Sequence, residues 1–231
     1  NSINDLARNL ESQERLRKQL TADVAHELRT PLATLQSHME AMIDGVWNAD
    51  TERLKSCHEE ILRLNRLVGD LDKLAKYESG ALTLDKTEFN LKELVKRVVG
   101  NFEKEFLSKN IQLELKLDKQ IIKADRDTIS QMIVNLISNA LKYTNAGGKV
   151  IIELTGDNNK AELAVIDNGI GIAEEDLPYI FERFYRADKS RTRLTGGAGI
   201  GLAITKAIVE AHKGTIEVES EINVGTKFKV I

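Results

Sequence analysis

The chain has 231 residues, 42% hydrophobic and 30% charged, with a net charge of -3 and one cysteine. That length buries an ordinary core and suffices for one large or two modest domains. The balance of charge excludes a broad nucleic-acid-binding surface, and the lone Cys57 excludes an intrachain disulfide framework or a cysteine zinc site and fits a reducing compartment. Two prolines and 5% aromatic residues favour a helix-rich α or α+β protein over a turn-rich sandwich. No apolar run approaches the roughly 18 residues of a membrane span, and no signal peptide is legible. The chain opens in what already reads as helix, residues 1–10, and stops in an apolar strand-like run at Ile231, so it reads as a piece of something longer.

Between Leu6 and Gly45 there is one proline and no glycine, and Leu28, Leu32, Leu35, Met39 and Met42 step by four, three, four and three. That is a coiled-coil seam on a helix predicted to run to about Val46. After a break at 45–50, Leu54, Cys57, Ile61, Leu64, Val68, Leu71 and Ala75 repeat the stepping up to a stop near Gly80. Two long amphipathic helices joined by a short turn make an antiparallel hairpin. One hairpin gives each stripe a single partner, so the expectation is a homodimeric, antiparallel four-helix bundle. Cys57 falls in the seam and reads as a small core residue.

Beyond Gly80 the period changes. A short strand is predicted near 82–84, a helix from Asn90 with Glu93 completing a capping box, a strand at 111–117 and a helix at 128–144. Strands follow at 149–154, 163–167, 215–220 and 226–231, with a helix at 200–212 among them. Helices on one face of a mixed sheet, a two-layer α/β sandwich, is the expected arrangement.

Within the first helix stands Ala25-His26-Glu27-Leu28-Arg29-Thr30-Pro31-Leu32. His26 lies two positions from the seam residue Leu28, roughly 200° around the helix, so its ring is expected to face outward. An imidazole of ordinary pKa, about 6.5, is mostly neutral near pH 7 and keeps a lone pair able to attack phosphorus. Glu27 is placed to hydrogen-bond the other ring nitrogen, or a water beside it, and to accept the proton. Pro31 removes the N–H that would bond the Glu27 carbonyl, which predicts a kink one turn on.

On the 128–144 helix, Gln131, Asn135, Asn139 and Lys142 form a polar stripe opposite Ile129, Ile133, Ile137 and Ala140. Interior asparagines cost helix propensity without adding to a core, so the stripe is expected to face a ligand. Amide oxygens suit magnesium bridging phosphates, and Lys142 suits phosphate or ribose. A merely polar face is the alternative, and two later segments weigh against it. Asp167-Asn168-Gly169-Ile170-Gly171 follows an apolar strand, where glycines let backbone approach a flat ligand and a carboxylate can accept from an amino group. Gly196-Gly197-Ala198-Gly199-Ile200-Gly201-Leu202 opens the last helix and offers free N–H groups to a polyphosphate. No strand precedes it, which excludes a dinucleotide fingerprint. Between the clusters, residues 173–195 read as a lid whose cations either offset phosphate charge or are simply solvated.

The segment around His26 resembles the H box of sensor histidine kinases. Residues 135–144, 167–171, 181–186 and 197–201 look like the N, G1, F and G2 boxes of that family, in order and with agreeing spacing, over residues 19–231. The resemblance implies an α+β protein: a dimerisation and histidine-phosphotransfer hairpin at 16–80, then an ATP-binding domain of the Bergerat type at 81–231. Residues 1–15, with Leu6, Leu10 and Glu14, look like the end of an upstream HAMP-type signalling helix.

By the same resemblance, ATP and magnesium are the expected cofactors, with Asn135 as metal ligand and Asn139 and Lys142 on phosphate. Tyr143 flanks the nucleotide, and Gly169, Gly171, Gly197, Gly199, Gly201 and Leu202 line it. Asp167 reads adenine, helped by Thr226 through water. His26, Glu27 and Thr30 are the catalytic residues, Thr30 also supporting dephosphorylation of the partner. That partner is a response regulator's receiver domain; nucleic acid is not expected. The chain is then the cytoplasmic fragment of a cell-membrane sensor, tied to the membrane only through a missing upstream segment, the alternative being a soluble sensor in that segment. A gyrase- or Hsp90-like ATPase would carry a glutamate base on the 128–144 helix, where Gln131 and Asn135 stand instead.

Overall fold

In the computed structural model the described residues are 22, 24–25, 27–78, 84–157, 160–187 and 199–231. The chain divides into two units, Asn1–Asp70 and Leu71–Ile231.

The first unit is helical. Helix α1 is continuous over 27–43, running through the buried Pro31, and α2 spans Thr51–Glu78. Helix α1 stops a little before the expected Val46 because Gly45 takes a left-handed φ of 71°, the usual way a helix ends at glycine. Trp47 fills the turn, its ring 5.2 Å from that of His38 and 4.3 Å beneath the Arg53 guanidinium. Asp50 caps α2, its Oδ1 accepting the Arg53 N–H at 2.9 Å.

The apolar seam splits into two series of period seven. Leu28, Leu35 and Met42 on α1, with Cys57 and Leu64 on α2, are buried or half-buried. Leu32, Met39, Leu54, Ile61 and Val68, the interleaved positions, are about half exposed. Residues 1–20, including the predicted upstream helix, and His26 lie outside the described residues. Among the described residues no helix is long and apolar enough to cross a membrane.

The second unit is a sheet layer under a helix layer. Its five strands lie in the order β2-β4-β5-β7-β6: β2 Gln112–Leu117, β4 Lys149–Gly156, β5 Ala161–Asp167, β6 Ile216–Glu221 and β7 Gly225–Val230. Only the β2–β4 pair is parallel. Alternation sends Val150, Ile152, Leu154, Leu163, Val165 and Phe228 into the core. The helices α3 Leu91–Gly100, α5 Arg126–Tyr143 and α6 Gly201–Ala211 supply Leu94, Ile133, Leu136, Ile137, Ile204 and Ile208. Each such side chain contributes about 1.5–3 kcal/mol. The other sheet face is laced with ion pairs, Lys116 with Glu153, Lys149 with Glu114 and Lys229 with Glu217, and stays solvated.

Four points of the expected fold need correction. Of the strand near 82–84, residues 82 and 83 lie outside the described residues and Leu84 is in no strand; β1 is Lys86–Asn90. It pairs antiparallel with an unanticipated strand, β3 Ile121–Asp125, in a separate ribbon. A six-residue helix, α4 Glu103–Ser108, was also unanticipated. Asn90 does cap α3, through the Lys92 N–H at 3.1 Å, but Glu93 turns along the helix toward Lys96 instead of back to the cap.

One side chain ties the start of α5 to the end of α6. His212 Nε2 accepts the Asp125 backbone N–H at 3.1 Å, so the ring proton sits on Nδ1 and is donated to the Ile208 carbonyl at 2.9 Å.

Candidate functional site

Helix α5 carries the site. Asp125 caps it, its Oδ1 accepting from Asp127 and Thr128 and its Oδ2 from Asp85. Burial pushes this carboxyl up, but those N–H bonds and the Thr128 hydroxyl outweigh it and hold the group below the ordinary carboxylate range. The helix buries Ile129, Met132, Ile133, Leu136, Ile137, Ala140 and Leu141. Gln131, Asn135, Asn139 and Lys142 share the opposite, half-buried stripe.

Asn135 joins α5 to the beginning of α6. Its Nδ2 donates to the Gly201 carbonyl at 3.0 Å and lies 3.4 Å from the fully buried Thr205 Oγ1. The amide is thereby oriented, and its Oδ1 accepts from Gln131 Nε2 at 3.1 Å. Helix α6 has no side-chain cap, so the N–H groups of its first turn, at Gly201 and Leu202, keep their positive end for another acceptor. Lys142 Nζ lies 4.8 Å from the Tyr143 ring centroid, a cation–π contact at the far end of α5.

There the turn after β5 packs. The Ile170 N–H donates to the Tyr143 carbonyl at 3.2 Å. Asp167, 8% exposed, accepts from the Gly169 N–H at 2.9 Å and from the Thr226 backbone N–H. Burial pushes its carboxyl above the ordinary range, and the two N–H groups only partly offset that. Thr226 pairs with Asp167 across the β5–β7 ladder.

Several of the glycines also lie where the protein's own backbone comes close. A Cβ on Gly169 would fall on the Tyr143 carbonyl, one on Gly171 (φ 70°) on Glu221, and one on Gly225 (φ 139°) on Asp167. Gly199, at φ 73°, would strike Phe184, whose N–H bonds the Gly199 carbonyl at 3.0 Å. At these positions the protein's own backbones meet, and a side chain would force them apart. A Cβ on Gly201, by contrast, would make only ordinary contact with Asn135. Gly197 and the cations Lys189, Arg191 and Arg193, expected in a lid, lie outside the described residues.

Within residues 173–187, Tyr185 Oη donates to Asp176 at 2.6 Å, and this bond, with burial, pushes the phenol up to about 12. Arg186 Nε is buried and has no partner among the described residues. In the first unit, Glu27 is half-buried and Thr30 exposed, one turn apart on α1. Thr205 and Ser220 were missed from the sequence: nothing in a helix interior or an alternating strand marks a hydroxyl that will orient another residue's side chain.

Two families match this arrangement. The His Kinase A (phospho-acceptor) domain covers residues 16–80, and the histidine kinase-, DNA gyrase B- and HSP90-like ATPase covers 124–231. The signal transduction histidine-protein kinase BaeS of Escherichia coli K12 is 39% identical over 93% of the chain. The chain spans under half the length of such full-length relatives, 46% of BaeS and 36% of the sensor histidine kinase WalK of Bacillus subtilis. Among solved structures, the Acinetobacter baumannii histidine kinase AdeS superposes with a TM-score of 0.76 at 34% identity, covering 89% of this chain and 95% of AdeS. With a helical phospho-acceptor region, an ATPase-type α/β layer and a relative matched along almost its whole solved length, the chain belongs to the sensor histidine kinase family.

Proposed function

We propose that the chain binds ATP in its second unit, moves the terminal phosphoryl group to His26, and passes it to an aspartate of a response regulator. What carries the reading is α5 acting as a ruler. Its Tyr143 end bonds the turn after Asp167, and its Asn135 bonds the uncapped start of α6. Eight residues at 1.5 Å separate those points by about 12 Å, a span suited to a base at one end and a polyphosphate at the other. The buried carboxylate suits an amino group, and Arg186 Nε, buried and without a partner among the described residues, suits an anion.

The donor set also fits magnesium. Among the described residues no cluster of His, Cys, Asp or Glu forms a protein cage, so Asn135 Oδ1 would hold the ion as a single amide ligand beside phosphate and water oxygens. The ion, when bound, supplies neutralisation of phosphate charge; orientation is the protein's part. In the transfer, a His26 nitrogen forms the bond to the terminal phosphorus as its bond to the bridging oxygen breaks and ADP leaves. Glu27 would take the ring proton. Residues 16–80 would form the phosphotransfer hairpin, 81–231 the catalytic domain and 1–15 the end of a signalling helix from a membrane sensor, the whole on the cytoplasmic side.

Labelled ATP with magnesium is expected to mark the protein with a label that acid removes and alkali spares; an acid-stable label would overturn the phosphohistidine. The solved complex of ThkA with response regulator protein TrrA, 29% identical over 94% of this chain with a TM-score of 0.76, supports a receiver domain as acceptor. Thr30→Ala is expected to slow regulator dephosphorylation while autophosphorylation persists, and unchanged dephosphorylation removes Thr30 from that role. The exposed series Leu32, Met39, Leu54, Ile61 and Val68 supports a homodimeric bundle. Sedimentation at micromolar concentration should give the dimer mass, and a monomer would count against it.

Nucleotide affinity should fall in acid. The ionised Asp167 accepts the amino hydrogen, so binding draws its raised value down and releases a proton. As pH drops through that raised value, affinity weakens. Calorimetric titration of ADP over a falling pH series checks this, and Asp167→Asn should bind more weakly and lose the part of the pH dependence that is not due to ADP's own phosphate.

A further inference from the structure

Three polar residues form a row across neighbouring strands: Asp167 on β5 faces Thr226 on β7, which faces Ser220 on β6. Ser220 Oγ has three close neighbours. The Ile172 N–H lies at 2.9 Å, the Gly225 carbonyl at 2.8 Å and Thr226 Oγ1 at 2.8 Å. A hydroxyl has one proton to give and two lone pairs to receive. The amide can only donate and the carbonyl can only accept, so the Ser220 proton goes to Gly225. Its lone pairs then take the Ile172 N–H and the Thr226 hydroxyl proton. The pair Ser220–Thr226, ambiguous alone, has one consistent direction.

We infer that Ser220 is a positioning residue for base recognition: by taking the Thr226 proton, it makes that hydroxyl an acceptor only. The inference rests on the base-reading role proposed above for Asp167 and Thr226. With an ionised carboxylate beside it, the row then offers acceptors alone to a ligand group in direct contact. A purine presenting an amino group satisfies them, whereas one presenting an oxo group at that edge sets acceptor against acceptor. Were Ser220 lost, Thr226 would recover a free proton and could donate it toward the oxo group, so the penalty for the wrong base would shrink.

The test compares ADP with inosine diphosphate by calorimetric titration on the whole chain. Wild type should prefer ADP, and Ser220→Ala should narrow the preference about five- to tenfold, the worth of one neutral hydrogen bond. In a Thr226→Val background, Ser220→Ala should change the ratio no further, since its route runs through that hydroxyl. Ser220→Thr should restore the wild-type ratio. Should Ser220→Ala fail to fold, Ser220→Cys, similar in size and weaker in bonding, should give an intermediate ratio. A wild-type ratio in Ser220→Ala or Ser220→Cys, or effects of the two sites that simply multiply, overturns the inference. If Thr226→Val itself leaves both affinities unchanged, the base site proposed above is wrong, and this inference falls with it.

Discussion

His26→Gln is expected to reduce acid-labile labelling by ATP to background, a loss of more than about a thousandfold, while ADP binding by the second unit is unchanged. The reason is chemical. An imidazole keeps a lone pair on a ring nitrogen near neutral pH, whereas the nitrogen of a carboxamide has its pair delocalised into the carbonyl and does not attack phosphorus. Glutamine has a higher helix propensity than histidine, so the substitution leaves α1 intact. Its neighbours Leu28 and Pro31 supply packing that the variant does not touch. Both readouts are needed: filter-bound label before and after acid, and calorimetric titration with ADP. Residual acid-labile label on the variant sinks the assignment of His26, and lost ADP binding would mean that the variant is damaged elsewhere.

The second large effect is on folding. Gly225→Ala should destabilise the second unit by more than about 4 kcal/mol, a size of loss that a backbone clash in a buried sheet produces. Two features act together at Gly225. Its φ of 139° is disfavoured for any L side chain, and the new methyl group would occupy the Asp167 carbonyl. The strands β5 and β7 would have to part where Asp167 and Thr226 pair, so nucleotide affinity should disappear with stability. Gly100 is the control. A Cβ there meets nothing within 4 Å, and Gly100→Ala at the end of α3 should be neutral or stabilising, by at most about 1 kcal/mol. Denaturant midpoints of the two variants decide the matter; equal midpoints would remove the steric argument.

These two residues also mark how far the sequence could be read. The polar stripe Gln131, Asn135, Asn139 and Lys142 was legible because the helical period puts it opposite Ile133 and Ile137, and the structure keeps it there. Helices α5 and α6 and five of the strands were legible for the same reason, long runs of one period. Strand β3 was not, since five residues reading Ile-Ile-Lys-Ala-Asp lack a period and form a strand only because β1 lies beside them. Six-residue α4 is too short to show one. The glycines were legible but the backbone approaches at Gly169, Gly171 and Gly225 were not: a sequence tells that a side chain is missing, not which backbone or ligand needs the space. The Asp125–His212 bond joins residues 87 apart, and the direction of the Ser220–Thr226 bond depends on Ile172, so neither leaves a local trace. His26 and the residues around Gly197 rest on sequence alone.

The splitting of the helical seam bears on how stability would be measured. Cys57 and Leu64 belong to the series that closes one hairpin, while Leu54, Ile61 and Val68 belong to the series left facing outward. If a second copy covers that outward series, part of the folding free energy obeys mass action, and the melting temperature of the bundle climbs with protein concentration. A cavity-forming change at Leu64 would then lower melting equally at every concentration. One at Ile61 would flatten the dependence on concentration instead, so a dilution series separates how this chain holds itself from how it holds its copy.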